Sequence, residues 1–301
     1  MALAGSANAA EYGLGNYLLG YQVSLTGFTP PPGFYFQNTF YLYDGSAGKN
    51  LRLPFGNAAA VGLREQFAMN ITQISWVTDL KALGGSIGFA AVVPFGSDRN
   101  AVGANFVGPL GVARDPNVSA QATALGDTAY AVFVGWEEGD HHWSATLTGF
   151  APTGYYNADA LAFTGLNRPG VDLKGAYTYL SMTTGIEASA AVGMTFNTVN
   201  AATGYQTGEE LHVEAALNQH LPFGLAVGVG GYFYQQVTPD SGGDLNLGGF
   251  EGRVAAVGPQ LAWTIKAGAQ ELNLSARWFH EFATQNRVRG DSVFASLAFR
   301  M

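Results

Sequence analysis

Twelve segments of strand character divide the chain from Phe34 onward, and the connections between them alternate in length. The segments are 34–43, 65–78, 85–94, 127–136, 143–152, 171–180, 185–198, 209–221, 224–237, 252–264, 272–283 and 291–301. Long connections at 44–64, 95–126, 153–170, 199–208 and 238–251 alternate with short ones at 79–84, 137–142, 181–184, 222–223 and 265–271, and 284–290 falls last in the long set. A soluble sandwich has no reason to place its long loops on every other connection. A transmembrane barrel does, because its turns on one side of the membrane are short and its loops on the other are long.

Charged residues make up only 12% of the chain, about half the usual ~25% of a soluble domain. Mean hydropathy is slightly positive, at +0.09. No stretch approaches the ~18 consecutive apolar residues of a membrane helix. Overall apolarity without a continuous apolar span fits strands whose side chains alternate between lipid and lumen. The chain has no cysteine, which excludes disulfides, thiolate catalysis and cysteine-held metals. Its net charge of −8 and lack of a basic run argue against nucleic acid as a partner.

Alternation is clearest in the last segment. Val293, Ala295, Leu297 and Phe299 share one face, and Ser292, Ser296 and Arg300 stand on the other. Segments 186–197 and 211–221 alternate in the same way, and their second faces are polar but rich in Gly, Ala and Ser. The expected fold is therefore all-β: a transmembrane antiparallel β-barrel of twelve strands in up-and-down meander order, spanning 34–301. An even, closed set leaves no unpaired edge in the bilayer. Trp76, Trp136, Trp143 and Trp263 all fall beside short connections, as a membrane girdle would. Trp278 is the exception, in mid-segment.

Residues 1–10 read as the remnant of a secretory signal, with Ala7-Asn8-Ala9 as the cleavage pattern. Residues 11–33 are apolar and glycine-rich and end in Pro30-Pro31-Pro32, which enforces an extended approach to the first strand. Such a segment belongs either at the periplasmic mouth or inside the lumen, where Tyr17, Leu18 and Leu19 would be out of water.

The inward faces carry the functional expectation. Asp172, Lys174, Glu187, His212, Glu214, Arg253, Arg277, Glu281 and Arg300 are expected to line the lumen and set its selectivity. Tyr35, Tyr41, Tyr43, Phe150, Tyr232, Tyr234, Phe279 and Phe294 are expected on the same faces and suit an aromatic or apolar solute. Three other patterns are weaker. Gly84-Gly85-Ser86-Ile87-Gly88 matches the nucleophile-elbow spacing, but it precedes a strand instead of a helix. Glu210, His212 and Glu214 share a strand face and could hold a cation, or could simply form a polar wall. His141-His142 point apart, and the loop Asp240–Asp244 lacks the full calcium pattern. No metal and no cofactor is therefore expected.

Taken in order, GFTPPPGFYFQN (27–38), ALGD (124–127), APTG (151–154), NTVNAATGYQTGEELHVE (197–214), GVGGYFYQQVTPDSG (228–242), GPQL (258–261) and FHEFATQNRVRGDS (279–292) resemble the phenol-degradation (meta-pathway) outer-membrane proteins of Gram-negative bacteria. That resemblance covers about 12–301. It implies a monomeric barrel in the cell outer membrane, inserted into the lipid bilayer by the barrel-assembly machinery and admitting small hydrophobic or aromatic solutes. The leading expectation is thus a channel for passive uptake. The alternatives are a lipid-modifying enzyme, for which Ser86 is the one motif-level nucleophile, and a structural barrel without a pore.

Overall fold

The computed structural model describes residues 11–48, 52–55, 58–107, 112–114, 118–242, 251–268 and 270–301. The signal-like residues 1–10 and Asp244 lie outside the described residues. Among those described, one antiparallel sheet closes on itself through 12 strands in chain order. They are β1 (Gly33–Ser46), β2 (Arg64–Ala82), β3 (Gly85–Val102), β4 in two pieces (Val118–Leu125 and Thr128–Glu138), β5 (His141–Ala151), β6 (Gly170–Leu180), β7 (Ile186–Asn197), β8 (Glu210–His220), β9 (Leu225–Gln236), β10 (Arg253–Ala267), β11 (Gln270–Gln285) and β12 (Arg289–Arg300). Closure is made by β1 against β12, in unbroken register from Tyr35↔Arg300 to Ser46↔Arg289.

The barrel is inverted relative to a soluble one. Phe34, Phe40, Ile74, Phe89, Leu173, Val192, Leu217, Val229 and Leu261 are exposed on the outside. Thr39, Thr178, Thr195, Asp172, Glu187 and Glu214 are buried inside. Only a hydrocarbon surround makes that arrangement favourable.

The short connections are tight turns. Leu83 and Gly84 both have positive φ, at 52° and 81°, which is the backbone a two-residue hairpin requires. Trp76, Trp136, Trp143 and Trp263 project outward near these turns; Trp76 stacks on Phe34, and Trp136 pairs with Trp143 across β4 and β5. In an outer-membrane barrel this is the periplasmic end. Trp278 sits nearer the other end, where its Nε1 donates to Asp291 at 3.0 Å beside His280. The tryptophan that looked misplaced mid-strand thus reaches a polar level, because β11 begins at Gln270 and runs longer than its alternation suggests.

The wall has one conspicuous irregularity. Pro94 in β3 lacks an amide proton, and the β3–β4 ladder shifts by one residue there, from Phe95↔Leu125 to Val92↔Ala129. This splits β4 at Gly126-Asp127. The Asp127 carboxylate turns to the connection 152–169 and accepts the amides of Gly154 (2.8 Å) and Leu166 (2.6 Å). The segment expected as loop 95–126 is therefore largely strand. Its remainder joins the β1–β2 connection in a four-stranded sheet (Arg52–Phe55, Ala58–Val61, Ala104–Val107, Val112–Arg114).

Candidate functional site in the barrel lumen

Residues 11–32 run inside the barrel from end to end. Glu11 is buried at the long-connection end, where Thr203 Oγ1 (2.8 Å) and Asn200 Nδ2 (3.0 Å) donate to its carboxylate. At the other end, Arg300 donates to Pro32 O at 2.7 Å and Tyr35 to Pro31 O at 2.6 Å. A three-proline stretch cannot donate hydrogen bonds, so wall residues supply them.

Between these ends the segment is fastened mainly to one half of the wall, β6 to β12, while on the other side Tyr21 donates to Gln73 (3.1 Å) and Ser144 donates to the Thr26 carbonyl (3.2 Å). Glu214 accepts from Tyr17 Oη at 2.6 Å and from the Gly20 amide at 2.7 Å. Glu187 accepts from Ser24 Oγ and the Leu25 amide, both at 2.8 Å. Lys174 donates to Gln22 at 3.0 Å, and Arg277 to the carbonyl of Tyr21. The Tyr17 ring stacks on His212 with centroids 3.6 Å apart, and His212 in turn is hydrogen-bonded to Asp172 at 2.8 Å. The Gly27 amide donates to Thr178 at 3.0 Å. A Cβ on Gly27 would lie 2.6 Å from the carbonyl oxygen of His142, so the approach to the wall requires glycine. Val23 is fully buried against Tyr232, Tyr234, Phe279 and Phe294.

The inward residues expected from sequence thus have specific duties. Asp172, Lys174, Glu187, His212, Glu214 and Arg277 are all engaged with the segment or with the groups that hold it. Glu281 faces inward and accepts from Tyr43 (2.8 Å), Tyr232 (2.9 Å) and the Gly290 amide (2.8 Å). Arg300 faces the periplasmic mouth. Arg253 is a correction: it is exposed on the outside, because β10 turns Val254, Ala256, Gly258 and Gln260 inward. Trp263 shares Arg253's parity, so an inward Arg253 is incompatible with a lipid-facing Trp263.

Sequence reasoning missed two buried arginines. Arg287 lies over the ring of Tyr234 at 4.2 Å, and Arg168 donates to Leu14 O at 2.6 Å. Both stand in connections, where alternation carries no signal.

The other half of the wall is left open. A cavity of about 500 Å³ lies between the segment and the inner faces of β1 to β5. It extends from Phe163 and Leu166 of the 152–169 connection to Thr29 and Ser75 near the periplasmic end. Its wall is mostly apolar or hydroxylated, as at Ile71, Ala90, Val92, Ala131, Thr146 and Thr148, with the amides of Gln37 and Gln73 on one side and Lys174 and Asp127 also in its lining. Tyr35, Tyr41 and Phe150 stand in its lining, joined by Phe67 and Phe133. Tyr232, Tyr234 and Phe279 do not, since they are buried beneath the segment.

The weaker motifs gain no support. Ser86 receives a hydrogen bond from Lys81 at 2.8 Å in a periplasmic hairpin, with a strand following it. Glu210, His212 and Glu214 are occupied by Tyr234, Asp172 and Tyr17 respectively, and among the described residues no group of three or more potential ligands could hold a metal. His141 faces out to Tyr177, while His142 faces in toward Phe28. Asp240 is buried between two connections. It accepts from Tyr205 Oη (2.5 Å), the Gly208 amide (2.9 Å) and Gln236, and burial pushes its carboxyl up to about 6.

A twelve-stranded barrel with a filled lumen and an apolar side cavity narrows the comparison. The model of the family described as "Putative MetA-pathway of phenol degradation" matches residues 48–297. The chain belongs to that family. Among solved structures it is similar to an outer membrane channel from Pseudomonas putida F1, with 14% identity and a TM-score of 0.68 over 90% of this chain and 96% of that one. At that identity the likeness is one of fold. A FadL homologue of Pseudomonas aeruginosa (10% identity, TM-score 0.46, 97% and 96% covered) and the Ralstonia pickettii toluene transporter TbuX (10%, 0.43, 98% and 96%) are more distant. No curated protein matches the chain.

Proposed function

We propose that the protein is an outer-membrane channel for passive uptake of small hydrophobic or aromatic molecules, and that the solute travels beside the N-terminal segment. The cavity carries this reading: it is the size of a small-molecule site, its lining is apolar with few polar groups, and ring faces project into it. The charges once expected to select a solute hold the segment instead. Family membership in phenol degradation supports an aromatic solute. The channel acts as a monomer, as closure of β1 on β12 leaves no edge strand for a partner, and the barrel-assembly machinery inserts it. The proposed passage needs no covalent step, and Ser86 meets Lys81 in an exposed periplasmic hairpin, outside the lining of the cavity.

The test is flux into liposomes loaded with an aromatic-ring-binding reporter. Toluene- or phenol-sized solutes are expected to enter faster with the protein than without it, and Ala131→Trp, which fills the cavity, is expected to cut that excess by at least severalfold. Equal flux with and without protein, for every solute tried, would sink the channel reading.

A further inference from the structure

The outer wall carries its charges on one arc. Among the described residues, the outward positions of β5 to β9 include no Arg, Lys, Asp or Glu. Toward the extracellular end their outward residues are apolar, as at Val171, Phe196, Val213 and Phe233, with the uncharged Gln235 as the polar exception. On the contiguous arc β10 to β3, that same end presents Arg253, Arg289, Arg64 and Arg99, all exposed.

Register places these side chains in a belt. Arg289 pairs with Ser46 and Ser46 with Arg64, so with strands about 4.8 Å apart the two arginines stand roughly 10 Å from each other. One step below, Asp291 pairs with Asp44, Asp44 with Gln66 and Gln66 with Arg99. Asp44 is held by Arg64 (2.7 and 3.1 Å), and Asp291 by His280 (2.9 Å) and Trp278 (3.0 Å). The four arginines outnumber the two strand carboxylates, and with the exposed Glu251 just before β10 the end of this arc keeps a surplus of one positive charge in a chain of net charge −8. Directly beneath lie Leu42, Phe40, Val293 and Phe95, all exposed and apolar. The belt therefore stands where hydrocarbon gives way to headgroups.

We propose that this arc docks a lipid whose headgroup carries phosphate, in the outer leaflet of the membrane. Guanidinium groups present paired donors that match phosphate oxygens, and the apolar strip below takes the acyl chains. Trp278 sits between the two layers, its ring against lipid and its Nε1 in the polar belt. An arc that served only to keep the barrel end wet would have no reason to exclude β5 to β9 or to favour one sign of charge.

The full chain in a non-ionic detergent can be titrated with diphosphorylated lipid A and with the same lipid stripped of phosphate, with bound lipid read by native mass spectrometry. The phosphorylated lipid is expected to bind more tightly, and more weakly at high salt. The triple variant R99Q/R253Q/R289Q is expected to lose roughly a hundredfold in affinity, from the usual contribution of each basic side chain at a membrane surface. K81Q/K266Q, at the periplasmic end, is expected to bind as the parent does. Heat-modifiable migration on electrophoresis confirms that each variant is folded. Equal binding of the two lipids, or a triple variant that holds the phosphorylated lipid as well as the parent, would overturn the proposal.

Discussion

Glu214 shows how a single inward carboxylate can serve structure in place of selectivity. Buried and centrally placed, it takes the Tyr17 hydroxyl and the Gly20 amide, and removing it leaves both donors without a partner. Each orphaned donor costs about 1–3 kcal/mol. Glu214→Ala is expected to loosen the segment around Tyr17–Gly20, read as a loss of hydrogen-exchange protection at the Gly20 amide by several-tens-fold or more. Glu214→Gln, which still accepts, is expected to lose much less. Unchanged protection in the alanine variant would mean that the remaining tethers suffice.

Asp240 gives a pH dependence at the same scale. Its folded pKa of about 6 lies above the ordinary carboxylate value, so the folded state keeps the proton longer than the unfolded chain does. The stability tied to that proton is fully present below about pH 4 and is lost as pH rises through about 6. Protection of the Gly208 amide, corrected for intrinsic exchange, is expected to fall across that window in the parent and to stay flat in Asp240→Asn. A flat profile in the parent would refute the assignment.

At the scale of elements, the N-terminal segment and the wall divide the lumen between them. Most of the segment's hydrogen bonds reach β6, β7, β8 and β11, with single ones to Gln73 of β2 and Ser144 of β5, and β3 and β4 face it across the cavity. Gly27 brings the backbone of the segment hard against the wall at Thr178 and His142, and Gly27→Val is expected to lift the segment there and narrow the cavity, lowering solute flux without unfolding the barrel. Deletion of residues 11–30 should do the opposite. Opening the polar half of the wall is expected to convert a nearly non-conducting protein into one with clear ion conductance in planar bilayers. The same low conductance after deletion would show that the extracellular connections, not the segment, close the pore.

For the whole molecule, two asymmetries coincide in the same wall. Inside, most charge stands on β6 to β12, with Glu65 and Asp98 buried on β2 and β3, and the cavity lies along β1 to β5. Outside, charge at the extracellular end is concentrated on β10 to β3. A barrel is symmetric in its hydrogen bonding, so these differences arise entirely from side chains. They give the molecule a half that holds the segment and a half that lines the cavity, and on the proposed route solute size should be limited by the second. Flux is expected to fall as solutes grow, in a comparison of benzene-, naphthalene- and larger ring systems, because only the space between the segment and β1 to β5 is left to them.

Much of this was determined by the sequence itself. Alternation with period two, the long-short order of connections and the tryptophans beside short turns sufficed for twelve strands, their direction and the faces of β6, β7, β8, β9, β11 and β12. Those signals are local, and a closed sheet in lipid has few other ways to satisfy its backbone. Alternation failed where its contrast was reversed. On β2 the inner face carries Phe67, Met69 and Ile71 and the outer face Gln66, Asn70 and Thr72, so the apolar side points to the cavity and not to lipid. It misled at Arg253, where a charge beyond the hydrocarbon faces outward at no cost. The duties of Glu187, His212, Glu214 and Arg277 were decided only by the tertiary structure. Alternation says which way a side chain points, but whether a lumen charge meets water, solute or Tyr17 depends on where a segment nearly two hundred residues away comes to rest.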